Sequence, residues 1–464
     1  MLSASNQSQS QTQTPLPTMS KTLFRNKPSS ILSDALLFIG GASVAFLLVW
    51  TLWSCVNPNP SSSGFSYSPD PETTVSEAFK VQDCADGAQG VNLREDPPAS
   101  TFYDDPNLSY SIEKPIKNWD EKRRIWLNHH PSFAAGVSER ILLVTGSQMK
   151  PCRNPIGDNL LLRFFKNKVD YCRLHGYDIF YNNALFQPKM SGCWAKIPLV
   201  RAAMVAHPES EWIWWVDSDA AFTDMEFKIP LERYEDHNFI LHGWAREIFD
   251  TNSPSWVGLN AGIFLIRNCQ WSLDFMDAWA SMGPLSPKYD TWGKILKSTF
   301  KDKVFDDSDD QSALVYLMLK ERKKWADKIY LEKQYYFEGY FLEIMGRLDN
   351  ITENYVEIER GVRKLRRRHA EKVSEYYAGV REPHLKKLGI GYGSWRRPFI
   401  THFAGCQPCS GKHNSTYSDE SCWKGMERAL NFADNQVLRN FGLVRRDLLD
   451  SSPLEPLPFD AAFA

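Results

Sequence analysis

The sequence predicts an α/β protein built on a Rossmann-like sheet with flanking helices, and three observations carry that expectation. From Ile141 onward, apolar runs of strand length alternate with helical patterns. Glycines and polar clusters fall where those runs end. The 464 residues are 43% hydrophobic and 13% aromatic, enough for a large core, which excludes a disordered or collagen-like chain. With 54 Lys+Arg against 56 Asp+Glu, the formal charge of -2 argues against a nucleic-acid binder, which needs a basic surplus to neutralise phosphates.

Ile141-Leu-Leu-Val-Thr145 reads as a buried strand ending at Gly146-Ser147. A helical pattern runs from Asn159 through Arg173 and stops at Gly176, in the position of a C-cap. Tyr177 to Tyr181 is a second strand, Trp194 to Ala206 a second helix and Trp212-Ile-Trp-Trp-Val216 a third strand. Strand, helix, strand, helix, strand implies a parallel, doubly wound sheet. Phe239 to His242 and Gly262 to Arg267 read as further strands. Ser308 with Gln311 three places later is a capping-box pattern before the apolar helix Ala313 to Leu319, which would put Asp309 and Asp310 in its first turn. Pro398 to His402 is a late strand and Met426 to Phe441 a final helix. Within 360–397, the cations Arg363, Lys364, Arg366, Arg367 and Arg368 read as a solvated helical face.

The first hundred residues differ in kind. Residues 1–20 are rich in Ser, Gln and Thr, and 57–74 in Ser and Pro, compositions that bury too little apolar area to fold. Between them Ala35 to Val56 carries no charge over 22 positions, the length of a bilayer-spanning helix. Lys21, Arg25 and Lys27 precede this run and the acids Asp70 and Glu72 follow it, so the N-terminus is expected in the cytosol. The expected plan is a cytosolic tail (1–34), a transmembrane signal anchor (35–56), a stem (57–101) and a lumenal catalytic domain (102–464). The sequons at Asn107, Asn350 and Asn414 would then face glycosylation enzymes, whereas Asn6 would not. Most of the nine cysteines would lie in an oxidising compartment. Structural disulfides are expected there over a zinc site, since no second metal pair accompanies Cys406-Gln-Pro-Cys409; the pairing stays open.

In open α/β sheets, ligands bind beyond the carboxyl ends of the strands. There the first strand presents Thr145-Gly146-Ser147 and the third Asp217-Ser218-Asp219. Gly146 belongs to no GxGxxG or GxxxxGKS pattern, so a dinucleotide site or P-loop has no support. Two carboxylates at i and i+2 past a buried strand suit Mn²⁺ or Mg²⁺, with a diphosphate completing the oxygen shell. An anchored lumenal protein with such a sheet and a DxD points to a Golgi glycosyltransferase of the GT-A type, using a nucleotide sugar. From residues alone, His402 reads as an ordinary hydrogen-bonded histidine, and Gly258, Asn260 and Gly262 as a turn entering a strand. His242-Gly243-Trp244 offers an aromatic platform for a sugar, though one Trp among 16 is more often core.

Longer segments carry a resemblance: ILLVTGSQMKPCRNPIGDNLLLRFFKNKVDYCRLHGYDIFY (141–181), WIWWVDSDAAFTDM (212–225), WVGLNAGIFLIRNCQWSLD (256–274), DDQSALVYL (309–317) and THFAGCQPC (401–409). In these the chain resembles plant glycosyltransferase family 34, which comprises xyloglucan 6-xylosyltransferases and galactomannan galactosyltransferases. YFEGYFLEI (336–344), LRRRHAEKVSEYYA (365–378) and SSPLEPLPFD (451–460) resemble the galactomannan branch. The resemblance implies a GT-A mixed sheet, with Asp217, Asp219 and His402 holding Mn²⁺ or Mg²⁺. It implies that Thr145, Gly146, Ser147, Asp217, Ser218, Gly258, Asn260, Gly262 and Gly405 meet the nucleotide sugar. It places Asp309, Asp310 and Gln311 beside the donor sugar and acceptor, as the catalytic segment. Xylosyltransferase relatives carry Lys after THFxGC where this chain has Gln407, so either Lys412 or another cation substitutes or the pocket handles the diphosphate mainly through the metal.

The expected reaction moves α-galactose from UDP-galactose to O6 of mannosyl residues in a β-1,4-mannan or glucomannan, with retention of configuration. It would take place at the Golgi membrane, with mannan synthase or other glycosyltransferases as partners. UDP-xylose transfer to xyloglucan is the nearest alternative. A non-catalytic subunit of a polysaccharide synthase and a sugar-binding module are alternatives of other classes.

Overall fold

The computed structural model describes residues 100–249, 252–366, 368–389, 391–449 and 453–457, all within one compact unit spanning Ala88–Ala464. Its elements in chain order are α1 (Trp119–His129), β1 (Ile141–Gly146), α2 (Gly157–His175), β2 (Asp178–Asn182), α3 (Lys196–Ala206), β3 (Trp212–Val216), β4 (Ala220–Phe222), β5 (Phe239–Gly243) and β6 (Leu259–Arg267). There follow α4 (Gln270–Ala280), α5 (Asp310–Lys320), β7 (Ile329–Glu332), β8 (Gly339–Tyr340), α6 (Leu348–Gly361), α7 (Ser374–Leu385), β9 (Ile400–His402) and α8 (Gly425–Leu438).

The central sheet has six strands in the order β2-β1-β3-β6-β5-β7. β1 pairs parallel with β2 and β3, as the alternation of strands and helices implies. The doubly wound pattern then stops: β6 runs antiparallel to both β3 and β5, so the sheet is mixed. β5 and β6 are joined through residues 244–258, whose described part holds a short helix at Ala245–Phe249, and the chain doubles back into an antiparallel pair. A smaller sheet, β4-β9-β8, begins where the chain leaves β3 through Asp217-Ser218-Asp219.

Alternation along β1 divides the core between the two faces of the sheet. Leu142 and Val144 pack with Trp215, Phe264 and Trp279 on one face. Ile141 and Leu143 pack with Tyr171, Trp214 and Phe222 on the other. On that second face Tyr171 stacks on Phe222 at 3.9 Å and Trp214 meets Phe222 edge-on at 5.2 Å, which fixes α2 and β4 against the sheet. Gly176 caps α2 at φ 70°, a left-handed position that glycine occupies without strain.

Several local expectations change. Ser308 does not cap α5: its hydroxyl donates to Met282 O, and Asp309 is the N-cap, accepting from Ser312 N at 2.9 Å. The structural disulfides are present as expected, with the pairing now Cys152–Cys409 and Cys406–Cys422. The basic stretch is not one helical face. Arg363 and Lys364 are exposed in a single 3-10 turn, whereas Arg366 turns inward onto Glu359 O and Arg360 O. Asn107, Asn350 and Asn414 are all exposed. Among the described residues no helix is long and apolar enough to cross a membrane. The apolar run 35–56, the tail before it, Cys55, Cys84 and Arg367 lie outside the described residues.

Candidate active site

Three strand ends converge at the carboxyl edge of the sheet. Asp217 N donates to Gly262 O at 2.9 Å and Ala220 N to Asp217 O at 3.2 Å, so the acidic triplet turns tightly from β3 into β4. β4 pairs with β9 in a register that sets Ala220 opposite His402. The candidate ligand atoms of Asp217, Asp219 and His402 consequently lie within 4.8 Å of one another. His402 Nε2 is 3.8 Å from Asp217 Oδ2 and 3.5 Å from Asp219 Oδ1.

The surrounding residues fit a divalent cation. His402 Nδ1 lies 3.2 Å from Glu338 Oε1, a carboxylate that orients the ring with Nε2 toward the aspartates. Burial works against a charge on His402, but its contacts with Asp219 and Glu338 prevail and raise its pKa to about 10. A cation is thus favoured at this spot, and two carboxylates with one imidazole form a donor set that suits Mn²⁺ or Mg²⁺. Gly262 supplies the room: a Cβ there would lie 2.5 Å from His402 Cε1 and 2.6 Å from Asp217 Oδ2. Asn260 Oδ1 accepts from Gly262 N at 2.7 Å and fixes that backbone. Trp215 Nε1 donates to Asp217 Oδ1 at 2.6 Å, which holds the carboxylate in place.

Two buried lysines complete the floor. Lys196, at the start of α3, is 2.8 Å from Asp310 Oδ2 and 3.4 Å from Asp217 Oδ1, and donates to Ala261 O at 2.9 Å. Burial opposes its charge, yet Asp217 and Asp310 raise its pKa above the ordinary lysine value. Lys168, on α2, donates to Ala220 O at 2.7 Å and Ser218 O at 3.3 Å, and burial lowers its pKa to about 7.

The expected catalytic segment divides. Asp310 enters the floor beside Lys196, and burial raises its pKa against that lysine's pull. Asp309 faces elsewhere: one oxygen caps α5 and the other lies 2.8 Å from Lys303 Nζ. Gln311 bridges the rim, accepting from Ala261 N and donating to Trp256 O, each at 3.2 Å.

The other expected residues hold the frame. Gly146 is required by the sheet, since a Cβ would lie 2.1 Å from Asn182 O on β2; its smallness serves strand packing. Thr145 is fully buried, with no hydrogen-bond partner for Oγ1, and Ser147 Oγ lies 2.6 Å from Tyr181 OH. Gly258 accepts from Trp244 N at 2.8 Å, and Gly405 adopts φ 87° in the turn after His402. Gln407 pairs in register with Lys412 on a short exposed ribbon. The buried cations of the site are Lys196 and Lys168, which the motif reading missed together with Glu338 and Trp215. A lysine opening the apolar stretch Ile197 to Ala206 was a signal for Lys196; Glu338 carried none.

Residues 137–413 match the family described as galactosyl transferase GMA12/MNN10, glycosyltransferase family 34. The chain belongs to that family. The chain is similar to "Galactomannan galactosyltransferase 1" of Cyamopsis tetragonoloba, 58% identical across 95% of this chain and 99% of that relative. "Probable xyloglucan 6-xylosyltransferase 3" of Arabidopsis thaliana is 45% identical across 76% of this chain and 69% of its own length. Among solved structures the chain is similar to the galactosyltransferase LgtC in complex with donor and acceptor sugar analogs. That likeness has 12% identity and a TM-score of 0.29, covering 63% of this chain and 95% of that one, too loose to transfer any residue. As a family 34 member, the chain is a glycosyltransferase with a nucleotide-sugar donor and a glycan acceptor.

Proposed function

We propose that this glycosyltransferase moves α-galactose from UDP-galactose to O6 of mannosyl residues in a β-1,4-mannan or glucomannan, with retention of configuration. The convergence of Asp217, Asp219 and His402 over the gap left by Gly262 carries the reading, because it is a place for a cation that a diphosphate can share. The galactosyl donor and mannan acceptor are supported by the 58% identity to a galactomannan galactosyltransferase over nearly its whole length.

Mn²⁺ or Mg²⁺ held by Asp217, Asp219 and His402 would neutralise charge on the departing diphosphate. Glu338 keeps His402 Nε2 turned toward the aspartates, and Trp215 keeps Asp217 from rotating away. Lys196 holds a positive charge between Asp217 and Asp310 and so fixes Asp310 within the floor. Asp310 is the carboxylate that faces the developing positive charge of the sugar or the acceptor hydroxyl. Asp309 acts through the helix it caps, and Gln311 braces the rim. Such fixed charges act most strongly in a dry, preorganised site.

The chain is further assigned to the Golgi membrane, anchored through 35–56 with 102–464 in the lumen and a stem between. Asn107, Asn350 and Asn414 are its glycosylation sites, and mannan synthase or other glycosyltransferases its partners. The full-length protein, solubilised in detergent with Mn²⁺, tests the donor: UDP-galactose and UDP-xylose are each offered with mannohexaose and cellohexaose. Galactose on mannohexaose, lost on chelation, is the expected product. Strict xylose transfer to cellohexaose overturns the assignment.

A further inference from the structure

Beyond the candidate metal ligands, the loops that carry Trp244, Trp256 and Val304 present apolar side chains, and Gln311 joins them by donating to Trp256 O. Trp244, Val257 and Val304 are 41%, 48% and 84% exposed, and half-buried Trp256 and Phe305 lie in the same loops. Exposed apolar side chains gathered on adjoining loops mark a candidate binding surface. The rim is also built. Trp256 Nε1 donates to Asp302 O at 3.1 Å and Ser255 Oγ to Asp302 Oδ2 at 2.6 Å, clamping loop 255–257 to loop 302–305. Trp256 and Phe305 meet edge-on at 5.4 Å, and Lys303 Nζ lies over the Phe305 ring, 3.1 Å from its centroid. Trp244 N donates to Gly258 O, tying the other end to the strand that carries Asn260 and Gly262.

The rim reports directly to the floor. Gln311 donates to Trp256 O and accepts from Ala261 N, while Ala261 O accepts from Lys196, the partner of Asp310. A chain lying on these loops therefore lies beside the carboxylate assigned to the acceptor side. The charges nearby select its chemistry: Asp302 and Asp307 are exposed along the same loop and disfavour polyanions, while Asp306 is paired with Lys297. An occupant that is uncharged, extended over two loops and able to present C–H faces to apolar surface is a neutral β-linked hexopyranosyl chain.

We propose that Trp244, Trp256, Val257, Val304 and Phe305 form the subsite that binds the acceptor backbone, away from the residue receiving the sugar. This rests on the transferase reading above but not on which sugar is transferred. The test titrates the full-length protein, loaded with Mn²⁺ and UDP, with mannobiose, mannohexaose and cellohexaose by calorimetry. Trp244→Ala and Val304→Asp should each weaken hexaose binding about tenfold, with the disaccharide little affected. Val304 is so exposed that its substitution does not threaten the fold, and the UDP affinity of each variant checks this. Rim-dependent binding of cellohexaose alone overturns the mannan assignment and keeps the subsite. Unchanged hexaose affinity in both variants, equal losses for biose and hexaose, or variants that alter only self-association overturn the subsite.

Discussion

Two clusters of buried charge lie in this protein and are built on different plans. At the carboxyl edge of the sheet, Asp217, Asp219, Asp310 and Glu338 surround two lysines and His402. In the second cluster, Asp224, Glu226 and Glu359 meet Arg381, Arg397 and Arg439. There every carboxylate has a guanidinium: Arg397 is 2.9 Å from Glu226, and Arg381 reaches both Glu226 and Glu359. Burial raises the Glu226 pKa, yet Arg381 and Arg397 win and hold it below its ordinary value. In the first cluster the acids are in excess, and one consequence is the high pKa of His402. Matched guanidinium pairs bind chain to chain, whereas an acidic surplus around one imidazole favours a further cation.

Substitutions can break this contrast from either side, and the largest effect should come from Asp217→Ala. Transfer should fall by about a thousandfold or more, since the cation and its diphosphate lose a ligand. The midpoint of thermal unfolding should change little, because Asp310 still pairs with Lys196 at 2.8 Å; a variant that merely unfolds removes the distinction between the clusters. Activity of a synthase complex that survived the change would instead favour a scaffolding role. Arg397→Ala should do the opposite. It leaves Asp224 buried without its partner and Glu226 with Arg381 alone, costing about 3 kcal/mol in denaturant titrations, while the folded fraction keeps its transfer rate.

The two clusters also differ in how far the sequence foretold them. Asp217 and Asp219 are legible because they directly follow a buried strand, and the strand order β2-β1-β3 follows from local alternation. His402 is legible only through the motif around it, since nothing near residue 400 says that β9 pairs with β4. Asp309 and Asp310 look equivalent as letters, and the cap geometry separates them. The second cluster escapes the sequence altogether: Glu226 and Arg397 are 171 residues apart, and a basic run is ordinarily solvated. The antiparallel insertion of β6 escapes for a similar reason, because pairing partners are chosen by tertiary packing.

Smaller changes probe the room for the cation. Gly262→Ala places a methyl group against His402 and Asp217, and Mn²⁺ affinity should fall about 10–100-fold by calorimetry, with an overpacking cost of about 1–3 kcal/mol in stability. Glu338→Gln keeps a side chain of the same size but removes the charge behind His402. Its loss should be nearer tenfold, and a Glu338→Asp variant should recover part of it. Equal affinity in Gly262→Ala and the parent would show that the gap serves packing alone.

The smallest effect concerns the cost of the second cluster. Burial raises the Asp224 pKa from 3.8 to about 6, against the pull of Arg397. Between those values the folded state holds a proton that the unfolded chain has released, so this group favours folding below about pH 4. Its contribution is lost as the pH rises through 6, and above that the charged carboxylate stays buried at a cost of about 3 kcal/mol. Asp224→Asn keeps an acceptor for Glu226 N, which Asp224 Oδ1 now serves at 3.2 Å, and removes the titration. The variant should therefore be the more stable at pH 7 and lose that advantage near pH 4, read as denaturant midpoints at the two pH values. An advantage that does not depend on pH would mean that Arg397 fully compensates Asp224, which would make the second cluster even more self-neutralising than its geometry implies.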